Sequence, residues 1–207
     1  ISGPNGSGKE LAARCIHQQS DRRDSRFIVA NCARLGAERA DVELFGSDGV
    51  ATSRRIVGLF EQAHKGTLYF DEVCDLPLET QGKIVRAVAE QRFRRVGGNK
   101  EVSVDVRVIS ASSRDLSAAI AEGRLREDLY YRLGVVPLSM PPLAERREDI
   151  PHLARHFVNL VARRTGLGKV KLGEEVLSAM QGYRWPGNVR QMLNTIENML
   201  IMAPADR

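Results

Sequence analysis

"GPNGSGKE", residues 3–10, is a glycine loop of the form GxxxxGK[ST] in which a glutamate stands where the hydroxyl residue is usual. Gly3, Gly6 and Gly8 permit backbone conformations and close approaches that a side chain would obstruct, so amide N–H groups can turn toward phosphate oxygens. Lys9 adds a point charge for the outer phosphates of a nucleotide. "IS" ahead of the loop reads as the end of a buried strand, and "ELAARCIHQQS", residues 10–20, places Leu11, Cys15 and Ile16 on one helical face. Strand, loop and helix in that order predict an α/β fold with a parallel sheet. Glu10 is the odd member, since a carboxylate is a poorer neighbour for phosphate than a hydroxyl that helps hold Mg²⁺.

At 207 residues the chain has room for one α/β domain with a sizeable core, or for a domain plus a small helical appendage. It opens almost on the loop and stops just after an apolar helical pattern, so a piece of a longer protein is expected. Cys15, Cys32 and Cys74 have neither the count nor the spacing of a disulfide framework or a zinc site, and each sits in an apolar pattern, which points to a reduced, cytoplasmic compartment. No apolar run is long enough to span a membrane. The net charge of +5 raises nucleic acid as a partner, but aromatics are only 5% and the arginines are scattered rather than gathered in a patch.

"RFIVANC" (26–32), "GTLYFDEV" (66–73) and "VDVRVISASS" (104–113) are short apolar runs ending in polar groups, the pattern of buried parallel strands with chemistry at their carboxyl ends. "LETQGKIVRAVAEQ" spaces Ile84, Val85 and Val88 as a helical face, and "RFRRVGGNKEVSV" reads as a hairpin turning at Gly97 and Gly98. "GVVPLSMPPL" adds one more strand before a break at Pro141 and Pro142. The remainder is helical: Asp149 as cap for a helix with Pro151 in its first turn and Ile150, Leu153, Phe157 and Leu160 inward, a second from about 174 to 181, and a third after Asn188 with Met192, Leu193, Ile196 and Leu200 inward. The expected division is 1–139, a three-layer α/β nucleotide-binding part, and 140–207, an all-helical lid.

Asp71 and Glu72 end a buried strand downstream of the phosphate loop. The first suits Mg²⁺, and the second suits orienting and deprotonating a water. Ser112 and Ser113 end the next strand with hydroxyls that suit water or a γ-phosphate, or equally an ordinary turn. "GRLREDLYYRL" places Arg126 and Arg132 on a helix, where a rigid guanidinium can offset charge developing on phosphate. Arg190, near the start of the last helix, is placed to reach back toward phosphates.

In this order and spacing the stretches resemble the central AAA+ domain of the bacterial NtrC family, enhancer-binding regulators that work with sigma-54 RNA polymerase. The resemblance covers nearly the whole chain. "GPNGSGKE" resembles the family's GESGTGKE, in which glutamate after the lysine is normal, and "NCARL", "ELFG", "LFEQAHKGTLYFDEV", "LREDLYYRLGVV", "PPLAERREDIP" and "WPGNVRQMLN" match further family signatures. The resemblance implies ATP bound by Gly3, Pro4, Asn5, Gly6, Ser7, Gly8, Lys9 and Glu10, with Arg190 as the lid's sensor arginine. It implies Mg²⁺ at Asp71, water activation by Glu72, and Asn31 holding that glutamate aside until the site is ready. Arg126 and Arg132 would be presented to a neighbouring subunit's nucleotide, which implies a ring of self-associated subunits, typically a hexamer. Ser113 stands where the family usually has Asn, and Gln191 replaces a common Glu.

One segment departs. Between "ELFG" and "GLFEQA" the family carries a GAFTGA loop whose apolar tip contacts sigma-54, whereas this chain has a shorter "SDGVATSRRIV". A small apolar tip can be buried against a partner, while a loop ending in Arg54 and Arg55 has little to bury. Within the family the chain most resembles response regulators paired with NtrY-like sensor kinases, some of which have a degenerate GAFTGA loop. For them a receiver domain would precede this stretch and a DNA-binding helix-turn-helix domain would follow. Two functions stay open: a nucleotide-binding regulatory module whose ATP state sets oligomerisation, and a ring ATPase that remodels sigma-54 polymerase. The "ELFG" and "WPGNVR" signatures argue against a clamp loader or chelatase subunit.

Overall fold

In a computed structural model of the chain, residues 1–49, 55–168 and 170–202 are described. They fall into two compact units: Ile1–Ser2 with Lys9–Ser139, and Gly3–Gly8 with Met140–Arg207. The phosphate loop thus clusters with the helical residues, apart from the helix it opens.

The first unit contains α1 (Lys9–Gln18), β1 (Phe27–Asn31), α2 (Ala40–Phe45), α3 (Leu59–Gln62), β2 (Thr67–Asp71), α4 (Leu78–Glu90), β3 (Arg92–Arg94), β4 (Glu101–Ser103), β5 (Arg107–Ser110), α5 (Leu116–Ala121) and α6 (Glu127–Leu133). β1, β2 and β5 form a parallel sheet with β2 in the centre. Thr67 to Phe70 of β2 are buried throughout, as expected of a central strand covered on both faces. Phe45, Phe60, Phe70 and Phe93 pack as an aromatic group, with Phe45 and Phe60 stacked at 5.4 Å. β3 and β4 pair antiparallel as the expected hairpin.

Several expectations need correction. α1 turns Lys9, Ala13 and His17 inward, while Leu11 is 65% exposed and Cys15 is exposed. Ala13 packs with Tyr69 and Ala111, and His17 Nδ1 lies 2.9 Å from Thr67 Oγ1. The small alanine permits a close helix–sheet approach that Leu11 would not. The strands expected at "IS" and "GVVPLSM" are reduced to parallel bridges of Ser2 with Ser112 and with Ser139. Pro137, Pro141 and Pro142 remove the backbone donors that a longer strand would need.

The second unit contains α7 (Ile150–Thr165), α8 (Glu174–Gly182) and α9 (Asn188–Met202). Ile150, Val158, Met180, Trp185, Met192 and Ile196 share one core, and Trp185 Nε1 donates to Met180 O at 2.8 Å. Leu160, expected inward, is 48% exposed, and Ala154 and Val161 take the core-facing positions of α7. Asp149 stands at the start of α7 but makes no side-chain cap, because it already closes a 3₁₀ turn, Arg147–Asp149, in helical geometry. No helix among the described residues is long and apolar enough to cross a membrane.

Candidate functional site

At the carboxyl end of the sheet, β1 and β2 are in register with Asn31 opposite Asp71. Glu72 follows with φ 57° and ψ 57°, a left-handed conformation that costs a residue with a Cβ about 1–2 kcal/mol. Neighbouring contacts hold it there. Val73 N–H donates to Ala111 O at 3.1 Å, and Ser113 donates twice to Glu72 Oε2, from its N–H at 2.8 Å and its hydroxyl at 2.9 Å. The other carboxylate oxygen, Oε1, lies 3.3 Å from Lys9 Nζ, on a lysine that is only 6% exposed. Lys9, Glu72 and Ser113 are therefore brought together. Asn31 shares no hydrogen bond with Glu72 among the described contacts. Ser112, 2% exposed, accepts from Arg114 N–H at 3.1 Å and serves the turn.

Asp71 is half-buried and accepts from the Tyr69 hydroxyl at 3.2 Å. Burial pushes its carboxyl above the usual carboxylate range; the Tyr69 hydrogen bond and Lys9 oppose that, and Glu72 adds to it. Burial and the Asp71 charge push the Tyr69 hydroxyl up in turn, so it stays protonated as a donor. Glu10 is exposed and takes Nε and Nη2 of Arg14 at 2.9 and 2.7 Å, one helical turn on.

Arg126 precedes α6 as its N-cap residue instead of lying on the helix, and its exposed guanidinium binds both oxygens of Asp128, at 3.0 and 2.8 Å. Arg132 is exposed in the last turn of α6. Neither shares a described contact with Lys9, Asp71 or Glu72. Gln81, which sequence reading missed, is fully buried: its Nε2 donates to Leu76 O and Arg124 O, and its Oε1 accepts Arg126 N–H at 2.9 Å. Its only sequence signal is a polar residue on the apolar face of α4.

In the second unit Gly3, Gly6 and Gly8 have φ of 150°, 75° and 102°. A Cβ on Gly3 would lie 2.4 Å from Met140 O, and one on Gly6 would lie 2.5 Å from Gly187 O. Both glycines are therefore required by packing as well as by backbone angle. Arg190 is exposed, with its Cβ 3.1 Å from where a Gly6 Cβ would lie. Ser7 is 1% exposed, and its hydroxyl has no partner among the described residues. Pro4 and Asn5 complete the loop, and the Asn5 carbonyl accepts from Asn188 Nδ2 at 2.9 Å.

Of the departing segment, Val50 to Arg54 lie outside the described residues, so the expected loss of an apolar tip falls there. Its base is tied: Ser47 and Ile56 form an antiparallel bridge, and Arg95 joins Glu61 of α3 to Asp48.

Comparison with known proteins identifies the family. Residues 1–139 match the model of the sigma-54 interaction domain, and residues 144–207 match that of the AAA+ ATPase lid domain. The chain belongs to the sigma-54 interaction domain family. It is 50% identical over 206 residues to the nitrogen assimilation regulatory protein NtrX of Azorhizobium caulinodans, covering 100% of this chain and 45% of that protein. The crystal structure of NtrX from Brucella abortus in complex with ADP superposes with a TM-score of 0.93 at 47% identity, covering 100% of this chain and 46% of the other. The complex of the same protein with ATP gives 0.92 at 47% identity, covering 100% and 45%. The chain thus spans about half the length of the relatives it matches. The α/β part with its parallel sheet and helical lid is the architecture of this family.

Proposed function

We propose that this chain is the ATP-binding AAA+ module of a cytoplasmic two-component transcriptional regulator, and that it hydrolyses ATP when assembled. The carrying observation is the Lys9–Glu72–Ser113 constellation at the end of β2. In the second unit the glycine cradle that Cβ atoms would fill and the buried hydroxyl of Ser7 fit a triphosphate, and in the first the half-buried carboxylate of Asp71 fits one Mg²⁺. Among the described residues no three His, Cys, Asp or Glu gather as a cage, which suits a cation held by one carboxylate with phosphate oxygens and water. Mg²⁺, when bound, would neutralise charge on the outer phosphates.

The loop amides and Lys9 hold those phosphates. Glu72 accepts the proton of the water whose oxygen bonds to the γ-phosphorus while the bond to the leaving diphosphate breaks. Both oxygens of Glu72 are engaged here, by Lys9 and Ser113, so the conformation is a resting one from which the base must be released. Asn31 and Ser113 serve as its polar partners during that change. Arg126 and Arg132, exposed and sharing no described contact with Asp71 or Glu72, act on a neighbouring subunit's nucleotide in a ring. Arg190 senses the phosphates from the lid. DNA, a receiver domain and an NtrY-like kinase belong to the longer protein.

The shortened segment 47–57 favours a regulatory switch without sigma-54 contact, whereas the family's sigma-54 interaction domain favours a motor. Capture of sigma-54 in the presence of ADP and aluminium fluoride, beside a GAFTGA-bearing relative, separates them. Analogue-dependent capture by this chain establishes the motor; ATP-dependent assembly without capture establishes the switch. Absence of ATP binding by calorimetry removes both.

A further inference from the structure

Three consecutive carbonyls of the phosphate loop are each taken by a donor from residues 140–202 of the same unit. Asn188 Nδ2 donates to Asn5 O at 2.9 Å, Val189 N–H to Gly6 O at 3.0 Å, and Arg146 Nη2 to Ser7 O at 2.5 Å. Asn188 is 2% exposed with φ 51°, and its Oδ1 accepts Leu143 N–H at 2.8 Å, so the side chain is a two-ended brace. In a trans peptide the carbonyl of one residue and the N–H of the next point in opposite directions. Drawing the carbonyls of Asn5, Gly6 and Ser7 to one side turns the N–H groups of Gly6, Ser7 and Gly8 to the other. Ser7 N–H is spent on Pro4 O at 3.2 Å, while those of Gly6 and Gly8 meet no acceptor among the described residues.

Two further donors at this place are buried without partners among the described residues, Ser7 Oγ and Arg146 Nε. Burying such atoms unpaired is unfavourable, and an anion rich in acceptors relieves it. Arg146 and Asn188 stand within "PPLAERREDIP" and "WPGNVR", stretches in which Arg190 alone has so far been given a role toward the nucleotide.

We propose that Asn188 and Arg146 are positioning residues for the nucleotide: they grip the carbonyls of the phosphate loop and so aim its free amides at the phosphates. This rests on the nucleotide reading above. The grip makes the loop a part of the helical unit, so substitutions in that unit reach the phosphates through the backbone.

The test is calorimetric titration of the intact protein with Mg²⁺-ADP, alongside ligand-free melting and hydrogen exchange at Gly6 and Gly8. Asn188→Asp keeps the acceptor for Leu143 N–H, tolerates the left-handed backbone and loses the donor to Asn5; Asn188→Gly is its uncharged companion. Both, and Arg146→Gln, remove a side-chain donor to a loop carbonyl, the glycine variant losing the Leu143 contact as well, and each should bind ADP about tenfold more weakly. Arg146→Lys should recover part of the loss by restoring charge and one donor. Arg147→Ala is the control, since among the described residues that exposed side chain bonds Ala144 O and not the phosphate loop, and it should bind as the parent does. In the weakened variants ADP should no longer slow exchange at Gly6 and Gly8. If the parent binds ADP and Lys9→Ala does not, yet Arg146→Gln and Asn188→Gly bind within about twofold of the parent, the positioning role is overturned alone. A parent that binds no ADP overturns the nucleotide reading and this inference with it.

Discussion

Replacing Arg95 by leucine should destabilise the first unit substantially, and the structure sets the scale. Arg95 is 8% exposed; its Nε and Nη2 lie 2.8 and 2.6 Å from the two oxygens of Glu61, and its Nη1 lies 3.1 Å from Asp48 Oδ1. Glu61 and Asp48 are 14% and 29% exposed. Removing one partner of a buried pair costs about 3–5 kcal/mol, because the charge left behind has lost its water and its counter-ion. Two features reduce the cost. Asp48 can regain solvent, and Arg55, 3.7 Å from Glu61 and 60% exposed, can swing closer. About 3 kcal/mol is therefore expected, which for a chain of this size lowers Tm by roughly 6–12 °C. Thermal unfolding followed by circular dichroism near neutral pH measures it. Arg95→Leu with Glu61→Leu should recover part of the loss by removing the orphan. A single variant melting within about 2 °C of the parent would refute the reasoning, showing that solvent already carries the cluster.

Lys9→Ala should weaken ATP binding by about 100-fold or more, a charge-assisted contact being lost, while Glu72→Gln should keep affinity and lower turnover by about 10²–10⁴-fold; calorimetry and phosphate release read both. Mixing Arg132→Ala with Lys9→Ala subunits should restore part of the turnover if arginine and loop meet across a subunit boundary. Mixed oligomers no more active than their parents would exclude that. Tyr69→Phe removes the hydrogen bond that holds the Asp71 carboxyl down, so its already raised pKa rises further. A protonated Asp71 cannot hold Mg²⁺, so the acid limb of Mg²⁺-dependent turnover should move to higher pH. The linked stability runs the other way: with the folded pKa raised, the Asp71 contribution is present below the unfolded value and is lost as pH rises through the folded one. An unmoved acid limb would remove Asp71 from metal binding.

Much of this molecule is legible in one dimension, because buried parallel strands are unbroken apolar runs and helices declare a period. "GTLYFDEV" is both a central strand and the carrier of Asp71 and Glu72, and Met192, Ile196 and Leu200 mark the inner face of α9 from spacing alone. Periodicity failed where size outranked polarity: α1 presents Ala13 and His17 because only a small residue lets the helix close on Tyr69, leaving Leu11 outside. The left-handed turn at Glu72, the resting partners Ser113 and Lys9, and the burial of Gln81 beneath Arg126 carry no local signal. Tertiary structure alone decided which carbonyls of the phosphate loop are gripped. Arg146 and Ser7 are 139 residues apart, and Asn188 and Asn5 are 183 apart. A hydrogen bond closes only when folding has brought donor and acceptor within about 3 Å, and no window along the chain contains both ends of either one.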